Sequence, residues 1–208
     1  ELRLEYMSRY PHLAGKFETI TNGYNFEGES RQAIGTKSER GEGVFELCHF
    51  GNVYGDRNVR VFLQAVAELE RERRLDSKRF RIRFVGTWDI TDHESQSLAK
   101  QLEQEGLFRR EAPIPHHLCL KEMASAAALL IMQPHSNVRV PAKTYEYIAS
   151  GRPIILIGDE GAASHLIERH RLGKWCRDSI PAIKNMLLSM LDGTAPIDPP
   201  AKEDVQRF

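Results

Sequence analysis

The sequence is poor in cysteine and has no excess of either charge. Cys48, Cys119 and Cys176 are the three cysteines of 208 residues, an odd number set far apart, and two of them lie in apolar runs that read as strands. That usage speaks against a disulfide framework or a metal cluster and implies a reducing compartment. Twenty-nine basic residues balance 29 acidic ones and the isoelectric point is near 7.3. Nucleic acid is therefore not expected as a partner, because phosphate-backbone binding usually leaves a basic surplus. No apolar run reaches the roughly 18 residues of a membrane-spanning helix, and the N-terminus lacks a charged-then-apolar signal pattern. No glycine triplet of the dinucleotide-binding type follows the first buried strand, which disfavours a dehydrogenase.

What is present is a regular alternation of strand and helix. Leu2 to Tyr10 carries a helical stripe of Leu2, Leu4, Tyr6, Met7 and Tyr10 that Pro11 ends; the chain enters it at once, as a piece of a longer protein would. Phe17 to Thr21 is a short strand candidate, and Asn22-Gly23 favours a turn with positive backbone angles. Residues 26–43 are rich in Gly, Ser and charge without any period, so a domain boundary belongs there. Beyond it, strands are expected at Val44–Phe50, Phe80–Val85, Phe108–Ile114, Ala128–Gln133, Ile154–Ile157 and Lys174–Cys176. Helices are expected between them: Val59 to Leu69, a capping-box start at Thr91 running to Glu105, Leu118 to Ala126, a short one holding Lys143, Ala163 to His170, and finally Ile180 to Leu191. Residues 196–208 form a tail whose start is rich in proline. This alternation predicts an α/β fold, a doubly wound, Rossmann-like parallel sheet of about six strands with helices on both faces. Such sheets bind ligands at the carboxyl ends of their strands.

The polar residues at that edge carry the chemistry. Gly51 stands where the first strand exits and lets a phosphate approach the backbone, and Arg57 near the next helix start can fork two hydrogen bonds onto it. Lys143 and Glu146, almost one turn apart, begin a short helix that Gly151 stops. Such a helix start can hold an anion, with Lys143 as a point charge and Glu146 as a hydroxyl acceptor. The spacing alone fits an ordinary surface ion pair equally well. His116-His117 cannot share one helical face and has no cysteine or carboxylate at ligand spacing, so no metal is expected there. The basic run Arg71, Arg73, Arg74, Lys78 and Arg79 is interleaved with Glu68, Glu70 and Glu72 and reads as a solvated face, peripheral membrane contact being its lesser alternative.

The segments His49-Phe50-Gly51-Asn52-Val53-Tyr54-Gly55-Asp56-Arg57-Asn58, Phe84-Val85-Gly86 and Val140-Pro141-Ala142-Lys143, with Tyr145-Glu146-Tyr147-Ile148-Ala149 and Gly151-Arg152-Pro153-Ile154, resemble the C-terminal half of family 4 type glycosyltransferases of the GT-B fold. Thr19-Ile20-Thr21-Asn22-Gly23-Tyr24 is similar to the family's segment joining the two halves. The resemblance runs from Phe17 to about Gly173. It implies that residues 1–30 are a remnant of an N-terminal domain and its linker, and that residues 31–195 bind a nucleotide diphosphate sugar donor. Arg57 and Lys143 would hold the diphosphate leaving group, Glu146 the ribose hydroxyls and Gly51 the close backbone approach. The base would lie by Ile114, in the turn from Pro113 to His116. A second family glutamate, eight positions before the ribose one, is replaced by Val138, which leaves Asn137 or backbone groups to meet the sugar.

By the same resemblance, transfer would be retaining, metal-independent and free of any cofactor beyond the donor substrate. The acceptor, a glycan or lipid-linked sugar of polysaccharide biosynthesis, would bind the missing N-terminal domain, and the piece alone would turn nothing over. A cytoplasmic location is implied, peripheral to the inner face of the membrane if the basic run touches lipid. Two rivals remain: a sugar-nucleotide epimerase of the same architecture, and a non-catalytic nucleotide-binding domain in which Lys143 and Glu146 only pair with each other.

Overall fold

The computed structural model describes residues 2–20, 22–23, 43–54, 59–133, 135–194 and 197–208. In chain order come α1 (Leu2–Arg9), a 3-10 turn (Pro11–Lys16), β1 (Phe45–Phe50), β2 (Val53–Tyr54), α2 (Arg60–Arg71), β3 (Phe80–Val85) and β4 (Trp88–Asp89). Next are α3 (His93–Gln104), β5 (Phe108–Glu111), α4 (His116–Ser125), β6 (Ala128–Gln133) and α5 (Ala142–Ala149). β7 (Ile154–Gly158), α6 (Ala162–Arg169), β8 (Gly173–Cys176), α7 (Ile180–Leu191) and α8 (Lys202–Val205) complete it.

Six strands form one sheet in the order β5-β3-β1-β6-β7-β8, and every neighbouring pair is parallel. The expected doubly wound architecture is found. Alternation along each strand feeds two cores. Leu47, Ile82, Phe84, Leu130 and Ile155 face α2, α3 and α7, while Cys48, Phe50, Leu129, Ile131 and Leu156 face α4, α5, α6 and Val205 of α8. β6 and β7 are apolar on both faces and lie inside the sheet, each with a strand on either side, as strands covered by helices on both faces do. The chain moves outward from β1 through β3 to β5 and then returns to place β6 on the other side of β1. The crevice for a ligand in this topology opens where those directions diverge, between the carboxyl ends of β1 and β6.

Several expectations are corrected. Residues 17–20 form no strand and pair with none among the described residues; the aromatic ring of Phe17 instead stacks on Tyr6 at 5.8 Å. Asp92, not Thr91, caps α3: its carboxylate accepts from the Ser95 backbone N–H at 2.9 Å. α4 starts at His116, and β5 stops at Glu111, two residues before Pro113. β2 and β4 pair as a two-stranded parallel ribbon that the sequence did not announce. The predicted turn residues Thr21, Tyr24 and Asn25 and the loop 26–42 lie outside the described residues.

A partly buried ion-pair cluster joins β3, β5 and α4. Arg83 on β3 donates to both carboxylate oxygens of Glu111 on β5, at 2.8 and 2.7 Å, and to Glu122 on α4 at 2.6 Å. Its side chain is 14% exposed and that of Glu111 19%, so the hydrogen bonds from Arg83 hold the Glu111 carboxyl below its usual 4.5 against the opposing effect of burial. A lowered carboxyl contributes stability that is complete above its unfolded value and disappears as pH falls through the folded one. Arg83→Met, which leaves Glu122 without this partner and Glu111 with only Arg109 at 2.9 Å, is expected to cost about 2 kcal/mol at neutral pH. Urea midpoints followed from pH 7 to pH 3 should show the difference between wild type and variant closing below about pH 4.5, as Glu111 protonates.

Candidate functional site

The crevice between β1 and β6 is a cleft of about 670 Å3. Its walls include Phe50, Gly51 and Asn52 after β1, His135, Ser136 and Arg139 after β6, and Pro141, Ala142 and Lys143 at the start of α5. β1 and β6 are in register only at Leu47–Ala128 and Cys48–Leu129. One residue further on, the His49 ring crosses the widening gap, with Nδ1 2.9 Å from the Leu130 carbonyl oxygen. A carbonyl oxygen only accepts, so Nδ1 carries the proton. Phe84 braces the same ring at a centroid distance of 5.0 Å.

The Gly51 turn is fixed from two directions. Its N–H donates to the Val85 carbonyl at 2.9 Å. A Cβ on Gly86 would lie 2.1 Å from the Gly51 carbonyl oxygen, so the two strand exits cross at a distance only glycine allows. From the other side, fully buried Tyr147 on α5 reaches the end of β1: its hydroxyl accepts from the Phe50 N–H at 2.7 Å and donates to the Phe50 carbonyl at 3.3 Å. This clamp ties α5 to the end of β1, next to the glycine turn. Burial drives the Tyr147 phenol well above its ordinary value, so it stays protonated. Tyr147→Phe leaves the Phe50 N–H buried without its partner and is expected to lower unfolding stability by roughly 1–3 kcal/mol. A denaturant titration checks this; unchanged stability would mean that the clamp contributes nothing.

Pro141 caps the start of α5, where a fixed φ suits a helix entry, and the N–H groups of Ala142 and Lys143 have no acceptor within the helix. Lys143 projects from this first turn into the cleft wall. Its Nζ lies 2.7 Å from Glu146 Oε2, with both side chains about 30% exposed. Glu146 Oε1 faces His116 Nε2 of α4 at 3.7 Å. Cys119, one turn further along α4, feels both members of the pair; burial raises its thiol, Glu146 adds to the rise and Lys143 opposes it.

The remaining predicted residues are placed as follows. Ile114 is partly buried against the second core, beside α4. Asn137 and Val138 lie in the loop after β6; the Asn137 carbonyl accepts from the Ala162 N–H at 2.7 Å, pinning the loop onto α6. Gly161 permits that contact, since a Cβ there would lie 2.1 Å from the Asn137 oxygen. Arg57 lies outside the described residues. Among the described residues no group of three or more His, Cys, Asp or Glu is placed to hold a metal, and no helix is long and apolar enough to cross a membrane.

The structure also brings forward residues that the sequence did not single out. Arg139 adds a second cation to the cleft wall, its carbonyl accepting from Gln133 Nε2 at 2.8 Å. His135, with φ of 60°, lines the cleft and faces Asp178, whose carboxyl burial raises, with a further rise from Asp159 and an opposing pull from His135. A positive φ at a non-glycine residue beside a crevice is a backbone feature no residue pattern announces.

No protein-family model and no curated protein sequence matches the chain. Solved structures do match it in fold. WaaG, a glycosyltransferase involved in lipopolysaccharide biosynthesis, superimposes with a TM-score of 0.64 at 18% identity over 91% of this chain and 51% of its own. The lipopolysaccharide outer core galactosyltransferase WaaB gives 0.66 at 17% identity over 99% and 55%. HepE from Anabaena, solved in complex with UDP-glucose, gives 0.57 at 14% identity over 87% and 49%. The chain thus spans about half the length of these glycosyltransferases, and it has the fold of a C-terminal GT-B domain.

Proposed function

We propose that the chain is the donor-binding half of a glycosyltransferase that takes a nucleotide diphosphate sugar and passes its glycosyl group to an acceptor. The observation that carries this reading is Lys143 at the open N-terminus of α5, facing the Gly51 turn across the crevice where β1 and β6 diverge. A diphosphate fits that wall: exposed N–H groups and the helix dipole favour an anion, and a glycine turn lets phosphate oxygens reach the backbone. Lys143, with Arg57, offsets the charge that grows on the diphosphate as the bond to the sugar breaks. Glu146, one turn further along α5, accepts from the ribose hydroxyls. HepE, which shares the fold, has been solved with UDP-glucose and with UDP, and this makes uridine the first base to test.

The sugar falls to the loop Ser136-Asn137-Val138 with His135, and the base to the turn holding Ile114. Transfer with retention, independence of metal, an acceptor held on a second half, and a role in glycan assembly, with the basic run from Arg71 to Arg79 near a membrane surface, complete the proposal. A second reading has one observation in its favour: Lys143 and Glu146 already satisfy each other at 2.7 Å, as they would in a non-catalytic domain. Calorimetry with UDP, GDP, dTDP and ADP separates the two. On the donor-site reading at least one binds, and Glu146→Ala weakens the ribonucleotide roughly tenfold by removing a charged acceptor. Unchanged binding in Glu146→Ala would leave only the ion-pair reading.

A further inference from the structure

His116 is the first residue of α4, its side chain is 65% exposed, and it stands over the one carboxylate of the proposed ribose site. Glu146 lies between two nitrogen groups: Lys143 Nζ is 2.7 Å from Oε2, and His116 Nε2 is 3.7 Å from Oε1. The two come from different elements, α5 and α4, and approach different oxygens.

A nucleoside diphosphate changes this balance. Lys143 is the group on the cleft wall, so a diphosphate competes with Glu146 for it, and phosphate oxygens carry more charge than one carboxylate. When Lys143 turns away, Glu146 loses its only short ion pair among the described residues and regains rotamer freedom, a cost to any ligand that needs the carboxylate in one orientation. His116 does not line the cleft and is not drawn to the diphosphate. A swing of its exposed imidazole shortens 3.7 Å to hydrogen-bond length. A carboxylate accepts about four hydrogen bonds, so one from Nε2 leaves room for both ribose hydroxyls.

We infer that His116 is a positioning residue, which holds Glu146 in place for the ribose hydroxyls once Lys143 has turned to the diphosphate. This rests on the roles of Lys143 and Glu146 proposed above and gives α4 a part in donor selection through a side chain.

The test is calorimetry of UDP and GDP, each beside its 2′-deoxy counterpart, on wild type, His116→Ala, His116→Gln, His117→Ala and Glu146→Ala. His116→Ala is expected to weaken the ribonucleotide roughly fivefold and the 2′-deoxy form twofold or less, the loss of one hydrogen bond felt through a neighbour. The preference for ribose over deoxyribose therefore shrinks. His116→Gln, which keeps a donor, restores most of it, and His117→Ala behaves as wild type. An equal loss for both sugars, or none, while Glu146→Ala still removes the ribose preference, overturns the role of His116 and leaves the donor site standing. If Glu146→Ala also changes nothing, or no nucleotide binds the wild type, the donor-site reading fails and the role of His116 fails with it.

Discussion

Lys143→Ala is expected to weaken nucleoside diphosphate binding about fiftyfold, the loss of a charge-assisted contact to a phosphate. The same change should weaken the monophosphate far less, so the variant loses most of its preference for UDP over UMP. The ion pair with Glu146 is about one-third exposed, and such pairs add little to stability. Unfolding should accordingly shift by less than about 1 kcal/mol, and a binding defect cannot be ascribed to a damaged fold. Titration of both nucleotides against wild type and variant, with a melting curve for each, gives the comparison. An equal loss for mono- and diphosphate would move the diphosphate away from Lys143.

The second large effect lies in the backbone. Gly86 has φ of 149° and the Gly51 carbonyl oxygen 2.1 Å from where a Cβ would sit. Gly86→Ala must force the exits of β1 and β3 apart, at an expected cost of roughly 3–5 kcal/mol from overpacking and backbone strain together. Gly151→Ala is the control. Gly151 has φ of 68° but nothing within 4 Å of its would-be Cβ, so only the backbone penalty of roughly 1–2 kcal/mol applies. Chemical denaturation of the two variants separates steric crossing from conformational preference. Equal destabilisation would show that the crossing is not tight. Because the Gly51 N–H bonds to Val85 in the same crossing, any folded Gly86→Ala protein should also bind nucleotide poorly.

The sheet was legible because its strands announce themselves. Ala128 to Gln133 and Ile154 to Ile157 are continuous apolar runs, as strands covered on both faces are, and they form the interior strands β6 and β7. Segments that need a partner to be what they are could not be read. Phe17 to Thr21 has strand-forming residues, yet residues 17–20 pair with no strand among the described residues. β2 and β4, two residues each, exist only because Val53 and Trp88 meet. Thr91 and Asp92 are both cap residues, and geometry chose the second.

The candidate site divides in the same way. Gly51, Lys143 and Glu146 were visible through residue type and spacing, and the structure sets the first two on one cleft with Glu146 one turn beyond. Tyr147 reads as an apolar position of a helix, and its bond to Phe50 spans 97 positions. His49 reads as the interior of a strand, and its bond to Leu130 depends on β6 lying beside β1. His116 was weighed as a metal ligand and set aside; its place opposite Glu146 follows from α4 and α5 packing on one face of the sheet.

A crystal structure of the protein with UDP bound is the most direct test of the donor site. The expected result is a diphosphate between Lys143 and the Gly51 turn, the ribose hydroxyls on Glu146, and the 2.7 Å contact between Lys143 and Glu146 opened. A nucleotide bound elsewhere, with that contact intact, would contradict it.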